Sequence, residues 1–297
     1  MHFTGPTYRP PYEATSLILQ ATAGCSHNAC AFCSMYRNIE FAASPLEEIE
    51  EDLASIAHQA HYVSRVFLAN GDPFCLPAER LLEIARLAHA YLPYLETIGS
   101  YASVRNVAAK TDEELRALAE AGYADLNIGL ESGLDDVLAH LNKGFTVDEA
   151  RSQLARLHAA GLPFNVNIIV AAAGFDRALE HAHACAQLVN EVDPTLVFVS
   201  PLHIDPGTPL ADELAQELFN ESTIGLYISE ELEFLRGLEL DDAVFYGLHM
   251  SNPVQLAGRL PRDKAELMET LADALRTYPP RLLDSHPIKG REGRIIG

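Results

Sequence analysis

Six short apolar, β-branched runs, each followed by a segment of helical period, recur between about Ser16 and Pro201, and this alternation restricts the fold more than any other feature of the chain. The runs predict strands over Ser16–Ala21, Arg65–Ala69, Thr97–Ala102, Ala124–Leu130, Phe164–Ala171 and Leu196–Ser200. The helical segments open on caps. Ser44-Pro45-Leu46-Glu47 offers an N-cap, a proline at the first helical position and a capping-box glutamate, with Leu46, Ile49, Leu53 and Ile56 on one face. Thr111 with Glu114 and Thr146 with Glu149 repeat the box, and Gly122 and Gly161 stand where helices should stop. Strands alternating with helices imply parallel βα units joined by right-handed crossovers. Eight such units typically occupy about 250 residues. Six in under two hundred residues predict an α/β fold, a partial (β/α)6 TIM-like barrel with its chemistry at the carboxyl ends of the strands.

Beyond Pro209 the rhythm changes to a helical stretch near Asp212–Asn220, an acidic segment to Asp242, the run Phe245–Pro261, an amphipathic helix from Arg262 to Tyr278 and an irregular tail. The expected organisation is an N-terminal extension over 1–14, a barrel core over 15–210 and an extension over 211–297 that packs on the barrel. The chain has 42 acidic and 21 basic residues, a formal charge of −21, with no basic cluster to offset it, so phosphate backbones would be repelled over most of the surface. No apolar run reaches the roughly 20 residues that cross a bilayer. Pro6, Pro10 and Pro11 replace the apolar helix of a signal peptide, and a cytoplasmic location is expected.

Three of the five cysteines crowd into nine residues, in Gly24-Cys25-Ser26-His27-Asn28-Ala29-Cys30-Ala31-Phe32-Cys33-Ser34-Met35-Tyr36, just after the first strand. Thiolate is a soft ligand suited to iron–sulfur clusters or zinc. A Cx4Cx2C triplet can hold a cubane with one iron left for a small molecule. A zinc site completed by His27 and a set of unligated thiols are the competing readings.

This loop resembles the cluster loop of the radical S-adenosylmethionine (radical SAM) superfamily, with Cx4Cx2C in place of the more common Cx3Cx2C and with Phe32 as the aromatic before the last cysteine. Tyr8-Arg9-Pro10-Pro11 and Leu126–Gly133 (LNIGLESG) are similar to a bacterial and archaeal group of small members, and the core over about Thr15 to Leu210 is similar to the Elongator catalytic subunit and oxygen-independent coproporphyrinogen oxidase. The resemblance implies one [4Fe-4S] cluster on Cys25, Cys30 and Cys33, chelation of S-adenosylmethionine at the free iron, reductive cleavage to a 5′-deoxyadenosyl radical, and hydrogen abstraction from a substrate, here expected to be a small molecule.

By the same resemblance Phe32 lies against the adenine side of the cofactor, and Asp72, in Asn70-Gly71-Asp72-Pro73, takes the place of a carboxylate that meets its ammonium group; an ordinary turn explains those residues equally well. Ser103 and Arg105 stand where relatives place polar groups beside the methionine part. Glu131 can accept two hydrogen bonds from the ribose diol, or serve as a helix N-terminal acid. Lys143 matches a basic residue that reaches the methionyl carboxylate, and Asn167 a polar residue near the cofactor. Ala171-Ala172-Ala173-Gly174 departs from the usual glycine-containing turn, which puts adenine contacts there in doubt, while Pro206-Gly207-Thr208-Pro209 resembles the group again.

His249, Tyr101 and Cys75 are the candidates for proton or hydrogen-atom handling, though each is also an ordinary core residue type. Cys75 and Cys185 have no neighbouring cysteine, which weighs against a second cluster of the kind methylthiotransferases carry. An electron donor such as flavodoxin or ferredoxin is implied, docking near the cluster with Arg37 as a candidate contact. The alternatives are a radical SAM enzyme acting on RNA and a zinc-binding structural or interaction module.

Overall fold

The computed structural model describes residues 1–286. The chain divides into two compact units, one made of Met1–Asn28, Met35–Gly129 and Ser152–Phe164, the other of Ala29–Ser34, Leu130–Arg151 and the chain from Asn165 on.

In the first unit β1 (Leu17–Gln20), β2 (Arg65–Ala69), β3 (Thr97–Ala102) and the start of β4 (Leu126–Glu131) lie side by side and parallel, with Leu17 opposite Val66, Arg65 opposite Thr97 and Tyr101 opposite Asn127. Val66 and Leu68 on one face and Phe67 on the other are wholly buried, the double-sided burial expected of parallel strands. Helices Leu46–Ile56, Ala78–Tyr91 and Asp112–Glu120 bury Ile49 and Leu53, Leu81 and Ile84, and Leu115 and Leu118. The Thr111–Glu114 capping box forms, and the helix stops ahead of Gly122, which has φ +92°. Ser44 does not cap. Pro45 is the N-cap residue, and the Ser44 hydroxyl accepts from Gln20 instead. At the amino ends of the strands buried Glu13 binds Arg65 at 2.6 Å, and Arg65 also donates to Thr97 and Asp125.

In the second unit β5 (Phe164–Val170), β6 (Leu196–Pro201) and β7 (Ala243–Gly247) run parallel, and β8 (Leu256–Leu260) pairs antiparallel with β7. Val166, Val197 and Phe245 share a register and are wholly buried; Asn167, Phe198 and Tyr246 share the next and face the other way. The Thr146–Glu149 box also forms. The six expected strands are present with ends moved by two residues at most.

The C-terminal part is more regular than the sequence reading has it. The helical stretch near Asp212 is Pro209–Ala215, the run Phe245–Pro261 holds two strands, and the acidic segment contains the helix Ile224–Gly237. Its charges hid it: Glu230 and Glu231 are buried along with Tyr227, Ile228, Leu232 and Phe234, so a stretch that reads as solvated packs against Ala178–Val192 and Lys264–Thr277. Past Tyr278 a short helix, Pro280–Leu283, replaces the start of the expected irregular tail, whose last residues, 287–297, lie outside those described.

Candidate cofactor site

The cysteine loop leaves β1 through a two-stranded ribbon, Thr22–Ala23 against Ala42–Ala43, which ties its two ends together. Within the first unit the loop is built against the turn after β2. A Cβ on Gly71 would stand 1.8 Å from the Gly24 carbonyl oxygen and 2.6 Å from Cys25 Cα, so only glycine lets the two turns touch. Next to it, Asp72 accepts from the Ser26 amide at 2.9 Å and the Ser26 hydroxyl at 2.6 Å. The Asn106 side chain donates to the same carboxylate at 3.3 Å. Asn106 is itself held by Ser103, whose hydroxyl and amide form a reciprocal capping box with it at the start of Val104–Ala108. Asp72 and Ser103 are thus joined through Asn106, and both are engaged with protein groups.

Arg105 donates to His27 Nδ1 at 3.0 Å, which makes that nitrogen an acceptor. Cys75 lies beside this network. Burial, and then the Asp72 carboxylate, push its thiol up to about 12, so the thiol is protonated at neutral pH. Tyr101 sits edge-on to Phe67 at 5.1 Å, and burial keeps its phenol neutral. Lys110, which the sequence reading did not single out, donates to the Phe74 and Leu76 carbonyls at 2.6 and 3.1 Å and braces the turn that carries Asp72; burial pulls its pKa down to about 8. Arg37 is half-buried.

Cys30 and Cys33 belong to the second unit, and their stretch of loop is clamped by backbone. The Ala31 amide donates to the Leu141 carbonyl at 2.9 Å and the Leu210 amide to the Ala31 carbonyl at 3.0 Å. Asn142 donates to the Ala29 carbonyl at 2.8 Å. The Asp205 amide donates to the Phe32 carbonyl at 3.2 Å, and its carboxylate accepts both the amide and the hydroxyl of Ser34. Phe32 packs on a cluster that includes Leu141, Ile169, Leu202 and Leu210.

Lys143 reaches Glu131 at 3.0 Å, with both side chains nearly buried. Burial disfavours the ammonium, but Glu131, Cys30 and Cys33 outweigh it and hold the pKa above the ordinary value. Lys143 therefore stays charged beside two of the three sulfurs. Glu131 itself has φ +68°, a strained conformation at a strand end of the kind found where a side chain must be aimed.

Asn167 shares its face of the sheet with Phe198 and Tyr246, and its Oδ1 is buried with no hydrogen-bond partner. The His249 ring lies edge-on to Phe198 at 6.0 Å and bonds Ser251; burial, and then His203, lower its pKa, so it is neutral near pH 7.

The donor set suits a cubane. Three half-buried thiols lie on one loop, none is in a disulfide, and a carboxylate–ammonium pair stands near two of them. Among the described residues no three His, Cys, Asp or Glu side chains, the three loop cysteines included, already stand close enough to hold one ion, which does not separate the cluster reading from the zinc reading.

The family model described as Radical SAM superfamily matches residues 19–183. Curated relatives include tRNA-2-methylthio-N(6)-dimethylallyladenosine synthases of Bordetella petrii, 27% identical over 218 residues (68% of this chain and 43% of that protein), and of Burkholderia pseudomallei, 24% identical over 275 residues (85% and 58%). The chain spans about half the length of these relatives. Among solved structures the radical S-adenosylmethionine methyltransferase TsrM of Kitasatospora setae is similar with TM-score 0.55 and 20% identity, covering 68% of this chain and 39% of that one. Methylornithine synthase (PylB) is similar with TM-score 0.52 and 18% identity, covering 86% and 81%.

Proposed function

The chain belongs to the radical SAM superfamily, and on that premise we propose that it is an enzyme that removes hydrogen from a small-molecule substrate. Its mostly parallel α/β sheet is the partial TIM-like barrel of the superfamily, and its cofactors are a [4Fe-4S] cluster and S-adenosylmethionine. When bound, these supply one-electron cleavage of a sulfonium and a carbon radical able to abstract hydrogen. The rest is done by side chains.

Cys25, Cys30 and Cys33 hold the cluster as thiolates. Lys143 would offset part of the negative charge of Cys30 and Cys33 and reach the methionyl carboxylate. Glu131, an acceptor-only group aimed by its strained backbone, takes the ribose hydroxyls. Phe32 would lie against the adenine; the turn Ala171–Gly174 departs from the usual glycine-containing sequence, but its Ala172 and Ala173 share one apolar cluster with Phe32 and would border the same group, and Asn167 presents the polar edge of its amide beside Phe198. His249, neutral at pH 7, can accept a proton but not supply one. Tyr101 and Cys75, both protonated, can each give up a hydrogen atom.

The observation that carries this reading is the clamped cysteine loop with the Lys143–Glu131 pair beside it. A small substrate is favoured by the net charge of −21, which opposes a polyanion. Among the described residues no helix is long and apolar enough to cross a membrane, and we place the enzyme in the cytoplasm with a soluble electron donor such as flavodoxin or ferredoxin.

The named relatives favour a second reading, action on tRNA. Against it, Cys185 is buried against His181, and neither it nor Cys75 has a second cysteine near it in sequence with which to hold a further cluster. Anaerobic reconstitution followed by reduction should give 5′-deoxyadenosine, lost in Cys30→Ala. Protein that binds iron yet forms none would refute the enzyme reading, and saturable tRNA retention at physiological salt would favour the second.

A further inference from the structure

Three side chains without a part in that chemistry form one hydrogen-bonded string inside the second unit. Glu230, on Ile224–Gly237, and His181, on Ala178–Val192, are each 1% exposed and meet at 2.7 Å between Oε1 and Nδ1. The same Oε1 accepts the Ala171 amide at 2.9 Å. Cys185, one turn beyond His181, lies 3.4 Å from its Nε2 and accepts the Gly133 amide at 3.2 Å. The string therefore ends on backbone at two turns, the one after β4 and the one after β5.

Both turns are strained. Glu131, two residues before Gly133, and Ala171 have φ +68° and +66°. The left-handed region is unfavourable for an L-residue. It persists only where neighbours enforce it. Gly133 is pressed so closely on the helix behind it that a Cβ would stand 2.3 Å from the Ala184 carbonyl oxygen. Between two packed helices an apolar pair would serve stability as well as a buried carboxylate and imidazole. The polar groups are explained by what they hold.

We propose that Glu230, through its own bond to Ala171 and through His181 and Cys185 to Gly133, is a positioning residue that keeps both turns in the shape that receives S-adenosylmethionine. This rests on the assignment of Glu131 and Ala171–Gly174 to the cofactor. Glycine at position 171 enters the left-handed region without penalty, so it should relieve the need for the Glu230 bond.

The test uses the full chain with its cluster reconstituted anaerobically, and measures S-adenosylmethionine affinity by calorimetry for wild type, Glu230→Leu, Ala171→Gly and the double variant, with Glu230→Gln, whose amide oxygen can still accept both bonds, as the conservative control. The expected result is at least a tenfold loss for Glu230→Leu, a markedly smaller loss when the same change is made in the Ala171→Gly background, and affinity close to wild type for Glu230→Gln, with iron content unchanged. Hydrogen exchange at the Ala171 and Gly133 amides should accelerate in Glu230→Leu and, at Gly133 alone, in Cys185→Ala, a readout that needs no bound cofactor. Wild-type affinity and exchange in Glu230→Leu would overturn the proposal, as would an affinity loss that Ala171→Gly does not reduce. Should Glu131→Gln leave affinity unchanged, the cofactor assignment fails instead.

Discussion

Replacing Gly71 by alanine tests whether the turn after β2 builds the cysteine loop or merely lies near it. The new Cβ would stand 1.8 Å from the Gly24 oxygen, where real Cβ contacts essentially never fall below 3.0 Å, and 2.6 Å from Cys25 Cα. Both obstacles are backbone, so no side chain can swing aside. The turns must separate by more than an ångström, which carries off the Ser26 bonds to Asp72 as well. Overpacking of this kind costs about 1–3 kcal/mol. The positive φ at position 71 adds roughly 1–2 kcal/mol for an L-residue. The expected destabilisation is therefore about 2–5 kcal/mol, accompanied by loss of cluster because the displaced segment carries Cys25. Urea unfolding supplies the first quantity; iron and sulfide per chain after anaerobic reconstitution supply the second. Thr111→Ala, which removes only a helix cap in the first unit, is the control for destabilisation alone and should cost about 1 kcal/mol with full cluster content. If Gly71→Ala unfolds within 1 kcal/mol of wild type and loads the cluster fully, the contact does not support the loop.

Two other perturbations follow from buried charge. Burial pushes the Glu231 carboxyl from its ordinary 4.5 up to about 8, so the folded state keeps a proton that the unfolded chain releases. Stability should fall as pH rises from about 4.5 to about 8 and then level off, by at most ~5 kcal/mol; in Glu231→Gln that slope should vanish, leaving the variant more stable than wild type at pH 8.5 and little changed at pH 5 in urea titrations. An unchanged slope would mean the carboxyl finds water or a partner. Lys143→Met strands the Glu131 carboxylate at a nearly buried position and should destabilise by about 3 kcal/mol. Adding Glu131→Gln should restore part of the loss, and strictly additive effects in that cycle would show that the two groups do not interact.

The sequence alone determined what depends on short-range pattern. Six strands, two of the three capping boxes it suggested, the glycine stops and the cysteine triplet are each encoded within a window of a dozen residues, and the resemblance to the radical SAM superfamily rests on those same local strings. Ser44 did not cap: the helix begins one residue later, with Pro45 as the N-cap, and the Ser44 hydroxyl accepts from Gln20, distant in sequence. Tertiary structure decided everything that joins residues far apart in the chain. Asp72 reaches Ser26 and Asn106, Lys110 braces the turn of Phe74, and Glu230 reaches Ala171. The helix Ile224–Gly237 belongs to the same class, because whether its glutamates face water or core is settled only by what packs on them. A carboxylate reads as solvated from its neighbours in sequence; its partners and its burial come from chain segments tens of residues away, brought together by a sheet whose hydrophobic driving force carries no record of which polar pairs it will enclose.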